Sequence, residues 1–162
     1  MQYQTEQIQK QIDELKKYGF KNYIDFHFSD TWCDPSKQIP PKGWENLSLE
    51  ELEAKVDEFT LTSLRRIKNE NIDLEYIQIG NEITYGMLWP IGKLDGSDES
   101  YYRLSRLLKS GYKACREVFP KAKLILHLDI LFLFVTIYYR RSIRFIKNNY
   151  SSSKIVVITV IS

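Results

Sequence analysis

The sequence predicts an α/β fold, a partial (β/α)8 TIM barrel of about three central β/α units, and three observations predict it. Helical periodicity alternates three times with short runs that suit strands. Each of those runs ends in polar or ionisable residues: His27 and Asp30, then Asn81 and Glu82, then His127 and Asp129. Strands separated by helices pair in parallel through crossovers, which would bring those three ends to one rim. An open doubly wound sheet is the second choice, because no glycine-rich phosphate loop follows any strand. At 162 residues the chain is too short for a complete eight-fold barrel, which takes about 250.

The elements follow in order. Ile8, Ile12, Leu15 and Tyr18 mark one face of a helix over 5–18, closed by Gly19, which takes the left-handed conformation without a Cβ clash. Phe20–Phe28 reads as a strand. A turn-rich loop with Pro40, Pro41, Gly43 and Trp44 leads to Ser48-Leu49-Glu50-Glu51, a capping box. Leu49, Leu52, Val56, Phe59 (or Thr60), Leu64 and Ile67 carry that helix to Asn69–Asn71. The next strand spans about Glu75–Ile79. After a long loop with Gly86, Gly92 and Gly96, a helix over roughly Glu99–Phe119 presents Tyr101, Leu104, Leu108, Tyr112, Cys115 and Phe119 on one side. Pro120 ends it. Lys123–Leu128 is the third strand.

Charge divides the chain at residue 129. Residues 1–129 hold all 21 acidic groups and 18 basic ones, a net −3, whereas 130–162 hold five basic groups and no acid. Two cysteines, Cys33 and Cys115, make no disulfide framework, and no Cys/His cluster suggests a metal. The N-terminus shows no export signal, and the longest apolar run, Ile130–Tyr139, is too short to span a bilayer as a helix. The sequence is therefore expected to have no membrane partner, and five basic tail residues are a slight basis for a nucleic-acid one.

The chemistry concentrates in Tyr76–Pro90. A strand runs into Gly80, an Asn-Glu pair follows, and Trp89 stands seven residues beyond Glu82. A carboxyl group, an amide able to bind hydroxyls and an aromatic face suit sugar chemistry. Glu82 as a solvated loop carboxylate is the competing reading.

Asp25-Phe26-His27-Phe28-Ser29-Asp30-Thr31-Trp32-Cys33-Asp34-Pro35 and Gln78-Ile79-Gly80-Asn81-Glu82-Ile83-Thr84-Tyr85-Gly86-Met87-Leu88-Trp89-Pro90 resemble motifs of the arabinogalactan endo-β-1,4-galactanases, glycoside hydrolase family 53. Leu124–Asp129 resembles the family's next strand, so the likeness covers about residues 5–129. It implies a (β/α)8 barrel, of which this chain holds strands three to five, cleaving internal β-1,4-galactosidic bonds of pectic galactan with retention. Glu82 matches the general acid/base and Asn81 the partner of the sugar 2-hydroxyl. His27, Asp30 and Trp32 match residues lining the cleft. Trp89 and Trp44 are candidates for stacking on galactose, with Trp44 equally suited to pinning its loop. His127 and Asp129 complete the expected substrate-binding set, as contacts or as supports. Tyr101 and Tyr112 are expected to serve core or surface packing rather than ligand contact. No cofactor is expected; some relatives bind calcium through later loops with no counterpart here. The partners implied are β-1,4-galactan and arabinogalactan oligosaccharides, with no defined protein partner, and the setting implied is extracellular.

The pattern also breaks. The family's first two strands, with an arginine of the site, and its nucleophilic glutamate have no counterpart, and Cys33 replaces a small alanine. Residues 130–162 contain no Asp, Glu, Gly, Ala or Pro. They read as an atypical basic and apolar tail, expected to be an out-of-frame translation of AT-rich DNA rather than native barrel sequence. Alternatives for the tail are a basic amphipathic segment or an aggregation-prone strand at Ile155–Ile161. The expectation is a glycosidase unit over 1–129 with the acid/base half of a site and negligible turnover alone. Two rivals remain: a non-catalytic galactan-binding remnant using Trp32, Trp89 and Asn81, or a related barrel glycosidase acting on another β-1,4-glycan.

Overall fold

The structure, a computed structural model, describes residues 10–15, 17–129 and 155–160. Residues 10–15 and 17 are helical, and the remainder of the helix expected over 5–18 lies outside the described residues. Six elements follow: β1 (Tyr23–Phe26), α1 (Leu49–Asn69), β2 (Tyr76–Ile79), α2 (Asp98–Val118), β3 (Lys123–Asp129) and β4 (Ile155–Val160). The strands form one sheet in the order β1-β2-β3-β4, every neighbouring pair parallel. An order that never reverses has no topological switch point, which separates it from a doubly wound sheet. Both helices bury their apolar sides in one cluster with the strands: Leu52, Val56 and Leu64 from α1, and Leu104, Leu108 and Cys115 from α2, meet Ile77, Ile79, Leu124 and Leu126. A parallel sheet wound in one direction, with its helices on one face, is an arc of a β/α barrel.

Local chemistry sets the helix ends. Ser48 and Glu51 form the reciprocal capping box expected from the sequence, satisfying two backbone donors that the first turn leaves open. Ser97 caps α2 by accepting from the Ser100 amide. At the centre of α2 the helix lies close against the sheet: a Cβ on Gly111 would stand 3.0 Å from Ile79 Cγ2, a tight contact that Ile79 would have to ease. The helices are tied at the surface by Arg106, whose Nε donates to Glu53 Oε1 at 2.7 Å while Nη1 reaches Glu50.

Two expectations need correction, and one stated alternative is decided. The stripe on the first helix is not buried among the described residues: Leu15 is 47% and Tyr18 73% exposed. Ile12, on the same stripe, is half-buried. β1 is shorter than Phe20–Phe28, with Phe20 left exposed before it. In α1 the buried position is Thr60 rather than Phe59, whose ring instead meets Phe26, Phe28 and Trp44 edge-on at its border.

The basic tail contributes β4, which pairs with β3 from Leu124↔Ile155 to Asp129↔Val160. All six of its residues are β-branched, the composition that suits a pleated strand, and they meet the edge that β3 would otherwise leave open. The other calls on the tail, at 130–154 and 161–162, lie outside the described residues.

Candidate active site

Strand alternation sorts the side chains into two faces. Leu124, Leu126 and Leu128 join the helix-side core, as do Phe26, Phe28, Ile77 and Ile79. The intervening residues lie on the opposite, concave face, where Tyr23 hydrogen-bonds to Gln78 and Gln78 Nε2 stands 3.3 Å from His127 Nδ1. At the carboxyl ends of β1, β2 and β3 this face carries His27, Asn81, His127 and Asp129.

The turn after β2 is tightly constrained. Gly80 has φ +82°, and a Cβ there would lie 2.7 Å from Ile83 Cγ2. Glu82, two residues on, also takes a positive φ of 49°, a region L-residues enter at some cost. The turn is fixed from both sides: the Ile83 amide donates to the His127 carbonyl at 3.0 Å and the Gly80 amide to the Phe26 carbonyl at 2.9 Å. Thr84 Oγ1 then donates to the Asp129 carbonyl at 2.6 Å. Glu82 is half-buried, and no hydrogen bond or ion pair engages its carboxyl group among the described residues.

Asn81 is buried, at 5% exposure. Its Nδ2 donates to the Cys33 carbonyl at 2.9 Å, its Oδ1 stands 2.7 Å from His127 Nδ1, and its own carbonyl accepts from Gln38 Nε2 at 2.9 Å. The loop after β1, the turn after β2 and the end of β3 therefore meet at this one residue.

His27, the residue directly after β1, has its Nε2 2.9 Å from Asp25 Oδ2 and its ring 5.1 Å from that of Trp32. Trp32 is 69% exposed, so most of the indole is open to solvent beside the tilted imidazole. Tyr23 donates to Gln78 Oε1 at 2.6 Å. Burial, and then the charge of Asp25, push its hydroxyl up to about 12. Burial likewise raises the Cys33 thiol, against a lowering hydrogen bond from Ser29. Among the described residues no group of three His, Cys, Asp or Glu side chains could hold a metal ion.

Residues 2–136 match the model of glycosyl hydrolase family 53. This chain belongs to glycosyl hydrolase family 53. It is 42% identical over 117 residues to the arabinogalactan endo-beta-1,4-galactanase of Humicola insolens, covering 70% of this chain and 33% of that protein. To the enzyme of the same name from Thermothelomyces thermophilus it is 38% identical over 116 residues, 70% of this chain and 33% of that one. Among solved structures, the Ignisphaera aggregans GH53 catalytic domain superposes with a TM-score of 0.76 at 35% identity, over 94% of this chain and 41% of that chain. The chain thus spans about a third of the length of these curated relatives.

Within the family 53 framework, the structure brings Asn81, Glu82, His27 and His127 together at one rim and treats the other candidates differently. Asp30 is exposed, and its Oδ2 accepts from the Lys42 amide at 2.7 Å, tying down the loop after β1. Trp89 is half-buried; its Nε1 donates to the Tyr85 carbonyl, and the Lys93 ammonium lies 4.3 Å from its ring centroid. That cation covers one face and leaves a sugar at most the other. Trp44 packs edge-on against Phe59, pinning its loop to the helix layer. Tyr101 and Tyr112 are core residues, and Tyr112 donates to the Ile125 carbonyl. Asp129 meets the site through its backbone carbonyl, which the Thr84 hydroxyl reaches.

Sequence reasoning missed Asp25, Tyr23, Gln78 and Gln38. Asp25-x-His27 is a period-two pair on one strand face, a signal that was available. Gln78 is a polar residue inside an otherwise apolar strand, and at 2% exposure it needs partners.

Proposed function

We propose that this chain carries the acid/base half of a retaining endo-β-1,4-galactanase site, with Glu82 as general acid/base. The observation that carries the reading is the position of Glu82. Its carboxyl group is free of internal partners among the described residues and follows Asn81 at the carboxyl end of a parallel strand. A retaining glycosidase needs one carboxyl group to protonate the leaving oxygen and then deprotonate water, and a second, about 5–5.5 Å away, as nucleophile. In this reading the second N–H of Asn81 donates to the sugar 2-hydroxyl, and His27 with the exposed indole of Trp32 borders the sugar that is cleaved. Asp25 is engaged by His27 and is not assigned the nucleophile's part.

The substrate class proposed is β-1,4-galactan, as the names of the Humicola insolens and Thermothelomyces thermophilus relatives indicate, and the extracellular setting belongs to the same proposal. One carboxylate in role does not complete the double displacement, so the 162-residue chain is expected to bind galacto-oligosaccharides without cleaving them.

Titration with β-1,4-galactotetraose, followed by calorimetry and by reducing-end assay, tests this. The expected result is heat of binding, weaker for cellotetraose and mannotetraose, and no sugar release. Release that disappears in Glu82→Gln would show a complete site. Equal binding of all three sugars would contradict the galactan assignment.

A further inference from the structure

The concave face holds a directional hydrogen-bond chain whose proton positions follow from elementary chemistry. The Cys33 carbonyl can only accept, so the atom of Asn81 that lies 2.9 Å from it is the amide nitrogen. This fixes the carboxamide, a choice that the hydrogen-bond network has to make. Asn81 Oδ1 then faces His127 Nδ1 at 2.7 Å. Two lone pairs would repel at that distance, so the proton sits on Nδ1. Gln78 Nε2 lies between the two, 3.3 Å from His127 Nδ1 and 3.4 Å from Asn81 Oδ1. With the far shorter 2.7 Å contact placing the proton on Nδ1, Gln78 donates to Asn81 Oδ1 and helps hold the carboxamide, while its Oε1 accepts from the Tyr23 hydroxyl at 2.6 Å. A proton on His127 Nδ1 leaves the neutral ring with its lone pair on Nε2. That atom is buried and has no partner among the described residues, the condition in which an acceptor gains most from meeting a donor.

We propose that Asn81 and Gln78 are positioning residues that lock His127 in the Nδ1–H tautomer, so that Nε2 accepts a hydrogen bond from a substrate hydroxyl. The identity of that donor as a galactan hydroxyl rests on the function proposed above; the lock itself does not. The arrangement gives Gln78 a role beyond filling the strand, and gives Asn81 a second one besides contacting sugar. It also explains why three loops converge on Asn81: a carboxamide free to flip would let the imidazole exchange its proton between nitrogens and present a donor where an acceptor is needed.

The test is a long-range proton–nitrogen correlation spectrum of the full 162-residue chain labelled with 15N-histidine. Only His27 and His127 contribute signals, and His27→Gln assigns them. The lock gives a protonated-type Nδ1 and a pyridine-type Nε2 for His127, the tautomer disfavoured in free histidine. Asn81→Leu shifts the pattern toward Nε2–H, and Gln78→Leu shifts it part of the way. A wild-type chain with His127 protonated on Nε2 overturns the inference without recourse to any variant. On adding β-1,4-galactotetraose, the His127 Nε2 resonance moves upfield as it accepts a hydrogen bond. In a second sample labelled with 15N-tryptophan, a response at the Trp32 indole with His127 Nε2 unmoved overturns the acceptor role while leaving galactan binding in place. An intact tautomer pattern with no sugar response anywhere supports the lock and removes the galactan reading instead.

Discussion

Asn81 and His127, 46 residues apart in sequence, meet oxygen to ring nitrogen at 2.7 Å, and this contact joins the ends of β2 and β3. Removing the Asn81 side chain strips partners from the Cys33 carbonyl, the His127 ring and Gln78 together. Each buried polar group left unsatisfied costs about 1–3 kcal/mol. Asn81→Ala is therefore expected to destabilise the chain by about 2 kcal/mol or more, read as a lower urea midpoint at constant slope. A midpoint within experimental error of the wild type would show that the contact carries no stability.

Glu82 illustrates the opposite case, a residue held where its backbone is least at ease. Its φ of 49° lies in the left-handed region, where a non-glycine residue carries about 1–3 kcal/mol of strain and Asn is favoured several-fold over Glu. Glu82→Asn is expected to stabilise the fold by on the order of 1 kcal/mol while removing the proposed proton donor. Thermal unfolding checks it; a lower midpoint would mean that the Glu82 side chain is held by packing rather than tolerated for its chemistry.

Gly86 tests the loop that bears Trp89. With φ +91° and the Gly92 carbonyl oxygen 1.9 Å from where a Cβ would stand, Gly86→Ala forces backbone against backbone. A loss on the order of 2 kcal/mol is expected, together with a red-shifted Trp89 emission as the loop opens. Gly19→Ala serves as a control, because a Cβ there meets nothing within 4 Å although φ is +80°. Equal losses in the two variants would locate the cost in the dihedral alone.

Two groups predict an alkaline limb of the stability curve. Burial and then Asp25 raise the Tyr23 hydroxyl from 10.0 to about 12, and burial raises the Cys115 thiol from 9.0 to about 12. A folded value above the unfolded one means that the unfolded chain loses protons first as pH rises. The contribution is therefore complete below about pH 9 for Cys115 and about pH 10 for Tyr23, and is lost by about pH 12 for both. Urea midpoints measured from pH 8 to 11.5 are expected to fall, less steeply in Tyr23→Phe and in Cys115→Ala. Slopes equal to the wild type in both variants would exclude these groups as the cause.

What the sequence made legible was mostly local. Ser48 and Glu51 announced the start of α1, Pro120 bounded α2, and apolar spacing from Tyr101 to Phe119 identified the face that α2 buries. The ends of β1, β2 and β3 were recognisable because polar residues follow apolar runs. What escaped depends on neighbours far along the chain. Gln78 passes for an ordinary strand residue until Tyr23 and His127 stand beside it. Asp30 and Trp89 could be named as candidate sugar contacts, but not their internal partners, a backbone amide at Lys42 and the ammonium of Lys93. The stripe from Ile12 to Tyr18 gives the opposite lesson, since amphipathic spacing names a face without supplying the surface that would cover it.

The most direct measurement uses a chimaera in which residues 23–129 of this chain replace the matching segment of the Humicola insolens galactanase. The expected result is hydrolysis of β-1,4-galactan, a fall in kcat of about 10²–10⁴-fold in Glu82→Ala, and recovery of turnover when azide replaces the water that Glu82 would activate. A chimaera that folds and keeps full activity with Ala at position 82 would contradict it.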